Sequence, residues 1–478
     1  MEKTTKKTYL HLAIYLVIIA VFWYLPPIGP ITPEGMRLLG LFIAFIVGFT
    51  ITSDAWPALI CLVLLPLTGL INFNGVLSLS FGSDTFFFIM LSLVLVAYVE
   101  ASGAANFISM WLLSRKILKG HPWRLMFMLL FICWLLSSFV NAIAGMMLTW
   151  AFLYKIFDHF NYKPFDKLPT LLILGTCVVG GLGLSTLPWG NNSIVILDAF
   201  TNLTGLSVNY FLYMGFSIPY SIASILLYLA ICRYLFRADV SALKDFNPED
   251  LGTEDRTLTR ANLIAMIAMV ALILLILLPS CFPEDSIIVQ YSNLFGLSGK
   301  LLLIFTVLQL IRLDGKHACN FPKIAKAGIS WNILIVAANI LIFSNMLGSE
   351  EAGISTFLSN SIGPIFEGHS TVLLIIIATV VTVVFTNFMV NKIVAIMMIS
   401  MTMPVIQSLG LDPIQFVFLY TVVCTVAFIL PSASQSAAVL FSNTEWVRAG
   451  DVFKFASPVI LAMTLLMIVW NSIFFSVF

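Results

Sequence analysis

Residues 122–157 read PWRLMFMLLFICWLLSSFVNAIAGMMLTWAFLYKIF, and residues 370–407 read STVLLIIIATVVTVVFTNFMVNKIVAIMMISMTMPVIQ. Both runs are apolar, and both are too long for one crossing of a bilayer, which takes ~20 helical residues. Each carries an asparagine near its middle, Asn141 and Asn391. Two short helices turning at that asparagine would enter and leave on the same side. Charge decides for this reading. With both runs as hairpins, 21 of the 24 Lys and Arg fall on one side, Arg37 and Lys300 lie near the other face, and Lys392 is left inside. Loops rich in Lys and Arg stay cytoplasmic. A full crossing by the first run would instead put the basic stretches 233–260 and 312–326 opposite 115–124. A full crossing by the second would move Arg448 and Lys454 outside.

The composition agrees with a bilayer setting. The chain has 478 residues, 60% apolar and 10% charged, with mean hydropathy +1.03; a soluble chain carries about 25% charged residues. The fold class expected is an all-α polytopic membrane protein. Eleven segments of spanning length lie near 9–25, 36–52, 55–72, 84–100, 169–200, 208–235, 259–280, 290–312, 330–348, 412–440 and 456–477. With the two re-entrant hairpins they put the N-terminus in the cytoplasm and the C-terminus outside. The first segment lacks a small-residue cleavage site and reads as a span. The seven cysteines are scattered without metal-ligand spacing, so no cofactor is expected. Net charge +1 gives no reason to expect a nucleic-acid partner. There is no phosphate-binding Gly-x-x-x-x-Gly-Lys-Ser/Thr loop, no His-Glu-x-x-His and no Gly-x-Ser-x-Gly, so the chain is not expected to be an enzyme.

The chain repeats itself at a shift of 250 residues. Glu100 falls on Glu350, Gly103 on Gly353, Val140 on Val390, Asn141 on Asn391, Ile143 on Ile393 and Met147 on Met397. The first hairpin opens from the cytoplasm and the second from outside, so the copies are inverted. Inverted repeats with broken helices mark secondary transporters, whose site lies near the midplane. The breaks expected are Gly180 to Asn192 and Pro431 to Ser436, since freed backbone survives at depth only in protein or beside a cavity. The organisation expected is N-terminal scaffold helices over 1–83 and a first repeat over 84–235. A linker with scaffold helices follows over 236–330, then a second repeat over 331–478.

At each tip a new helix presents unpaired N–H groups and the positive end of its dipole. Asn141 and Asn391 could each donate to and accept from a ligand, or each could merely cap its own helix. With the two breaks they define four polar loops expected to converge on an anion. Lys392 brings an ammonium to that place, unless its stem snorkels to water. Glu100 and Glu350 read as corners leading into interfacial helices.

At this point the chain resembles the divalent anion/sodium symporter family of dicarboxylate, citrate and sulfate cotransporters. The resemblance runs from Pro26 to Gly40, through Glu100-Ala101-Ser102-Gly103 and both hairpins, to Leu430–Phe441 and Arg448-Ala449-Gly450-Asp451. It implies a homodimer with a scaffold and a sliding transport domain, an elevator. It further implies substrate contacts at Asn141, Ala142, Pro188, Gly190, Asn191, Asn391, Lys392, Ser434 and Gln435, and a residual sodium site at Thr386 and Asn391. The chain departs from the family's Ser-Asn-Thr tips. They have become Val140-Asn141-Ala142 and Val390-Asn391-Lys392, and Leu136 stands where the family has a further serine.

Valine offers no oxygen to sodium, and Lys392 places a fixed positive charge at the second tip. The function expected is therefore secondary transport of small di- or tricarboxylates across the cell inner membrane, with Lys392 replacing a coupling cation. That permits sodium-independent exchange or, if the ammonium can lose its proton, proton coupling. The competing readings are a sodium-coupled dicarboxylate or sulfate symporter and an inorganic-ion antiporter. The partners expected are a small anion, the bilayer and a second copy of the chain.

Overall fold

The computed structural model describes residues 2–52, 55–247, 258–283, 286–313, 315–347, 349–354, 356–357, 360, 370–431 and 433–477. Glu249, Asp250, Glu254, Asp255 and Arg256 of the expected linker, and Ser432 of the second break, lie outside them. The chain opens with α1 (Glu2–Tyr24), α2 (Pro33–Thr52), α3 (Trp56–Leu64), α4 (Phe73–Leu79), α5 (Asp84–Ser102) and α6 (Ala104–Leu113). The first long apolar run forms α7 (Pro122–Phe139) and α8 (Ala142–His159). There follow α9 (Lys167–Gly183), α10 (Ser193–Thr204), α11 (Tyr210–Ala230), α12 (Arg260–Leu277) and α13 (Ile287–Leu310). Next come a two-stranded ribbon, β1 (Arg312–Leu313) and β2 (Lys316–His317), then α14 (Phe321–Gly328) and α15 (Trp331–Leu347). The second apolar run forms α16 (Thr371–Thr386) and α17 (Asn391–Ser408), before α18 (Pro413–Val423), α19 (Gln435–Ser442) and α20 (Ala449–Val477).

Six helices among the described residues are long and apolar enough to cross a membrane unaided: α5, α7, α11 with its π-helical extension, α12, α13 and α20. Other expected spans are broken. Residues 169–200 divide into α9 and α10, and 412–440 into α18 and α19. The 290–312 segment bends where Gly296 takes φ 58° and ψ −167°, a conformation that glycine reaches without steric cost.

Close contacts sort the chain into two compact units interleaved in sequence. The first comprises Met1–Ile89, Ile194–Val208 and Ser330–Cys424. In it α1 packs on α2, and the Tyr15 hydroxyl donates to the Pro57 carbonyl at 2.7 Å, tying α1 to α3. Asn339 of α15 donates to Ala58 O at 3.0 Å. Thr85 donates to Asp198 at 2.8 Å and joins α5 to α10. The α16–α17 pair packs against α18, where Thr402 and the Tyr420 hydroxyl lie 2.9 Å apart.

The second unit comprises Met90–Ser193, Asn209–Ile329 and Thr425–Phe478. At its centre is α9, buried at every residue from Leu168 to Gly183. A helix apolar all round belongs in a protein interior. It is enclosed by α7, α8, α11, α19 and α20. Their polar side chains reach into it: Trp150 donates to Thr176 at 2.7 Å, and Tyr228 donates to the Leu171 carbonyl.

Gly103 and Gly353, equivalent at the 250-residue shift, both take positive φ, +77° and +68°. At Gly353 an added Cβ would come 2.0 Å from the Pro30 carbonyl oxygen, so that position also requires the bare backbone.

Candidate functional site

The first tip is the two-residue turn Val140–Asn141. Asn141 is extended (φ −164°, ψ 145°), and its Oδ1 accepts the Ile143 N–H at 2.8 Å, capping α8. Its acceptor is therefore engaged by its own helix, leaving the amide N–H pair for other partners. Ala142 follows as the first helical residue and is buried.

Small residues bring this tip against the end of α9. An added Cβ on Gly183 would lie 2.5 Å from Ser137 Cβ, and one on Gly145 would lie 2.6 Å from Ser137 Oγ. Gly181 similarly sits where a Cβ would be 3.0 Å from the Thr425 carbonyl of the second break. Beyond Gly183 the helix stops, and residues 184–192 form successive turns, with Gly190 N–H donating to Leu187 O at 2.9 Å and Asn192 N–H to Leu184 O at 3.3 Å. Neighbours satisfy the freed carbonyls. Tyr213 donates to Ser185 O, Ser217 donates to Thr186 O at 2.6 Å, and Trp134 donates to the Thr186 hydroxyl at 2.9 Å. Pro188 and Gly190 are buried in this turn and Asn191 is half-buried.

Eight buried polar groups of this unit have no hydrogen-bond partner among the described residues. Four of them lie at the first tip or in the breaks: the hydroxyls of Ser137, Ser185 and Ser436 and the Asn192 amide nitrogen. The others are the hydroxyls of Tyr98, Thr170, Ser224 and Ser292. Buried polar groups are nearly always paired, so each calls for a reason. Ser185, Asn192 and Ser436 fall in the expected breaks; Ser137 lies in the last turn of α7, where nothing in the sequence around it singles it out. A second missed feature is Glu100. It lines a cavity of about 190 Å³ with Asn106, Leu136, Val140 and Gly145, so the corner carboxylate opens onto the first tip. In the second break, Ser434 caps α19, donating to Ala427 O at 2.7 Å and accepting from Ala437 N–H at 3.0 Å. Gln435 beside it is exposed.

The second tip belongs to the first unit. Residues 387–390 turn the chain, and Asn391 is the first residue of α17 rather than its cap, with Val390 in that place. Asn391 is buried, and Lys392 beside it is half-buried, near the Cys424 thiol. The Thr386 hydroxyl donates to the Cys424 carbonyl and lies 3.3 Å from Asn391 Oδ1. Thr386, Asn391 and the start of the second break are thus held together by one hydroxyl. A lysine at the first turn of a helix adds its charge to the positive dipole end, which costs about 0.3–1 kcal/mol at an exposed site and is relieved by an anion.

Comparison with known proteins places this geometry in context. The YdaH transporter of Alcanivorax borkumensis shares the fold with TM-score 0.56 at 15% identity, over 84% of this chain and 88% of that one. MtrF of Neisseria gonorrhoeae, from a class of antimetabolite efflux pumps, matches with TM-score 0.57 at 13% identity, over 96% and 97%. Among curated relatives, sodium-dependent high-affinity dicarboxylate transporter 2 of Caenorhabditis elegans is 29% identical over 32% of this chain. Na(+)/dicarboxylate cotransporter 3 of Rattus norvegicus is 26% identical over 30%. The chain spans about a quarter of the length of these relatives, 28% and 24%. Residues 40–423 match the model of a family described as citrate transporter. With that match over most of its length, this chain with several membrane-length apolar helices belongs to the citrate transporter family.

Proposed function

We propose that the chain is a secondary transporter of small di- or tricarboxylates in the cytoplasmic membrane, with Lys392 serving as the fixed cation that meets a substrate carboxylate. The observation that carries this reading is the half-buried Lys392 in the first turn of α17, next in the chain to Asn391, whose Oδ1 the Thr386 hydroxyl meets. The dicarboxylate specificity named for the two curated relatives supports the substrate class. In this reading both helix pairs are re-entrant, and the second tip contributes Asn391 and Lys392. Within the second unit, the substrate contacts proposed are the Asn141 amide, Ala142, the Pro188–Asn191 turn, Ser434 and Gln435. Movement is of the elevator kind, in a homodimer.

A lysine in place of a bound cation predicts transport without sodium. The test is counterflow of labelled succinate and citrate in proteoliposomes. Exchange is expected to persist in sodium-free buffer, and Lys392→Thr is expected to abolish it or to make it sodium-dependent. Strict sodium dependence of the wild type, or normal sodium-free exchange by the variant, would remove the lysine from this role. The partnerless Ser137, Ser185 and Ser436 hydroxyls favour a second reading, a sodium-coupled symporter, because a hard cation takes oxygen ligands. Strict sodium dependence, lost in Ser185→Ala, would select it.

A further inference from the structure

Away from both tips, the second unit carries a trough of about 570 Å³ between the start of α7 and the last turns of α11. That size falls within the roughly 300–1,000 Å³ of small-molecule sites. Its walls are apolar, formed chiefly by Phe127, Met128, Leu226 and Leu229, and two arginines, Arg124 and Arg233, border it. Leu226 is 54% exposed, so the trough opens outward rather than into the core. The Arg233 guanidinium lies 5.6 Å from the Trp123 ring centroid and 5.4 Å from that of Tyr234. Trp and Tyr gather where the hydrocarbon meets the headgroups. The final turn of α11, Ile231–Leu235, is π-helical, and such turns are frequent at functional sites. Among the described residues neither arginine has a carboxylate partner.

The geometry points to a site for one anionic phospholipid. Its phosphate lies between Arg124 and Arg233, and one acyl chain runs along Phe127, Met128, Leu226 and Leu229. Basic pockets between membrane helices on the cytoplasmic side take such headgroups, and charge sorting assigns both arginines to that side. A zwitterionic lipid such as phosphatidylcholine brings its own cation beside the phosphate, which opposes the two guanidinium groups, whereas an anionic lipid brings none. A peptide would find almost no polar group along the wall to pair its backbone. A lipid seated there braces α7, the first arm of the first hairpin, against α11.

Native mass spectrometry of the purified full chain tests this, with phosphatidylglycerol, phosphatidylcholine and glycerol 1-phosphate as probes. The wild type is expected to retain one phosphatidylglycerol under activation that strips phosphatidylcholine. Arg124→Gln combined with Arg233→Gln should weaken that adduct roughly thirty-fold, given the usual contribution of each basic group near a lipid surface. Leu226→Trp, which fills the trough while keeping both arginines, should also lose it, so the test stands even if the double variant fails to fold. Equal retention of phosphatidylcholine, an unchanged adduct in either variant, or displacement by equimolar glycerol 1-phosphate would overturn the proposal. The last outcome would mean an anion site without a lipid.

Discussion

Asn141 and Asn391 are equivalent in the repeat yet hold different things. Val140 sits at φ −115°, ψ −86°, which leaves Asn141 extended and capping α8. Val390 sits at φ −64°, ψ 131°, and itself takes the cap position, so Asn391 enters the helix and faces Thr386. The sequence marked both asparagines through their symmetry. It could not separate their roles, which a one-position difference in backbone torsion decides. The two duties of Asn141 can be separated by substitution. Asn141→Ser keeps a capping oxygen and should leave the melting temperature nearly unchanged, whereas Asn141→Ala should cost about 1 kcal/mol. Both remove the amide donor and should cut carboxylate uptake roughly 10- to 100-fold, the value of a hydrogen bond to a charged group. Uptake that follows stability alone would confine Asn141 to capping.

The helix breaks were legible in kind and misplaced in detail. Gly180, Gly181 and Gly183 read as the start of an interruption, yet α9 continues through all three. They are small because Met146, the Thr425 carbonyl and Ser137 press against them, and tertiary packing overrides their weak helix propensity. In the second half, α18 ends at Val423, well before the Pro431 that signalled a break. The intervening Cys424-Thr425-Val426-Ala427-Phe428 has no residue that announces unwinding, and all five are buried. The contact at Gly183 makes a direct test. Gly183→Ala should destabilise by about 1–3 kcal/mol through overpacking. In a Ser137→Gly background the added penalty should shrink, because Ser137 Cβ is the nearest atom it meets. Thermal unfolding of the four proteins in the double-mutant cycle measures that coupling; additive effects would show that the two elements do not press on each other.

At the scale of the whole molecule, hydropathy left 122–157 and 370–407 undivided, and each folds as two helices, α7 and α8 in the first and α16 and α17 in the second. The sidedness that the charge pattern predicts for them is a separate expectation. The interleaving of two compact units was beyond reach, since it depends on contacts far apart in the chain. The topology is testable by labelling intact cells. Cys61, Cys133, Cys177, Cys232, Cys319 and Cys424 are buried, so a Cys281→Ser background should be nearly silent towards a membrane-impermeant maleimide. In that background Ser207→Cys should react from outside and Lys119→Cys only after permeabilisation. The reverse pattern would invert the whole arrangement. A last consequence follows from α9, which shows no side to its surroundings. An element gripped on every flank has no track of its own to run along. Whatever stroke this molecule makes must haul Lys167–Gly183 together with the arms that clasp it, as a single cargo.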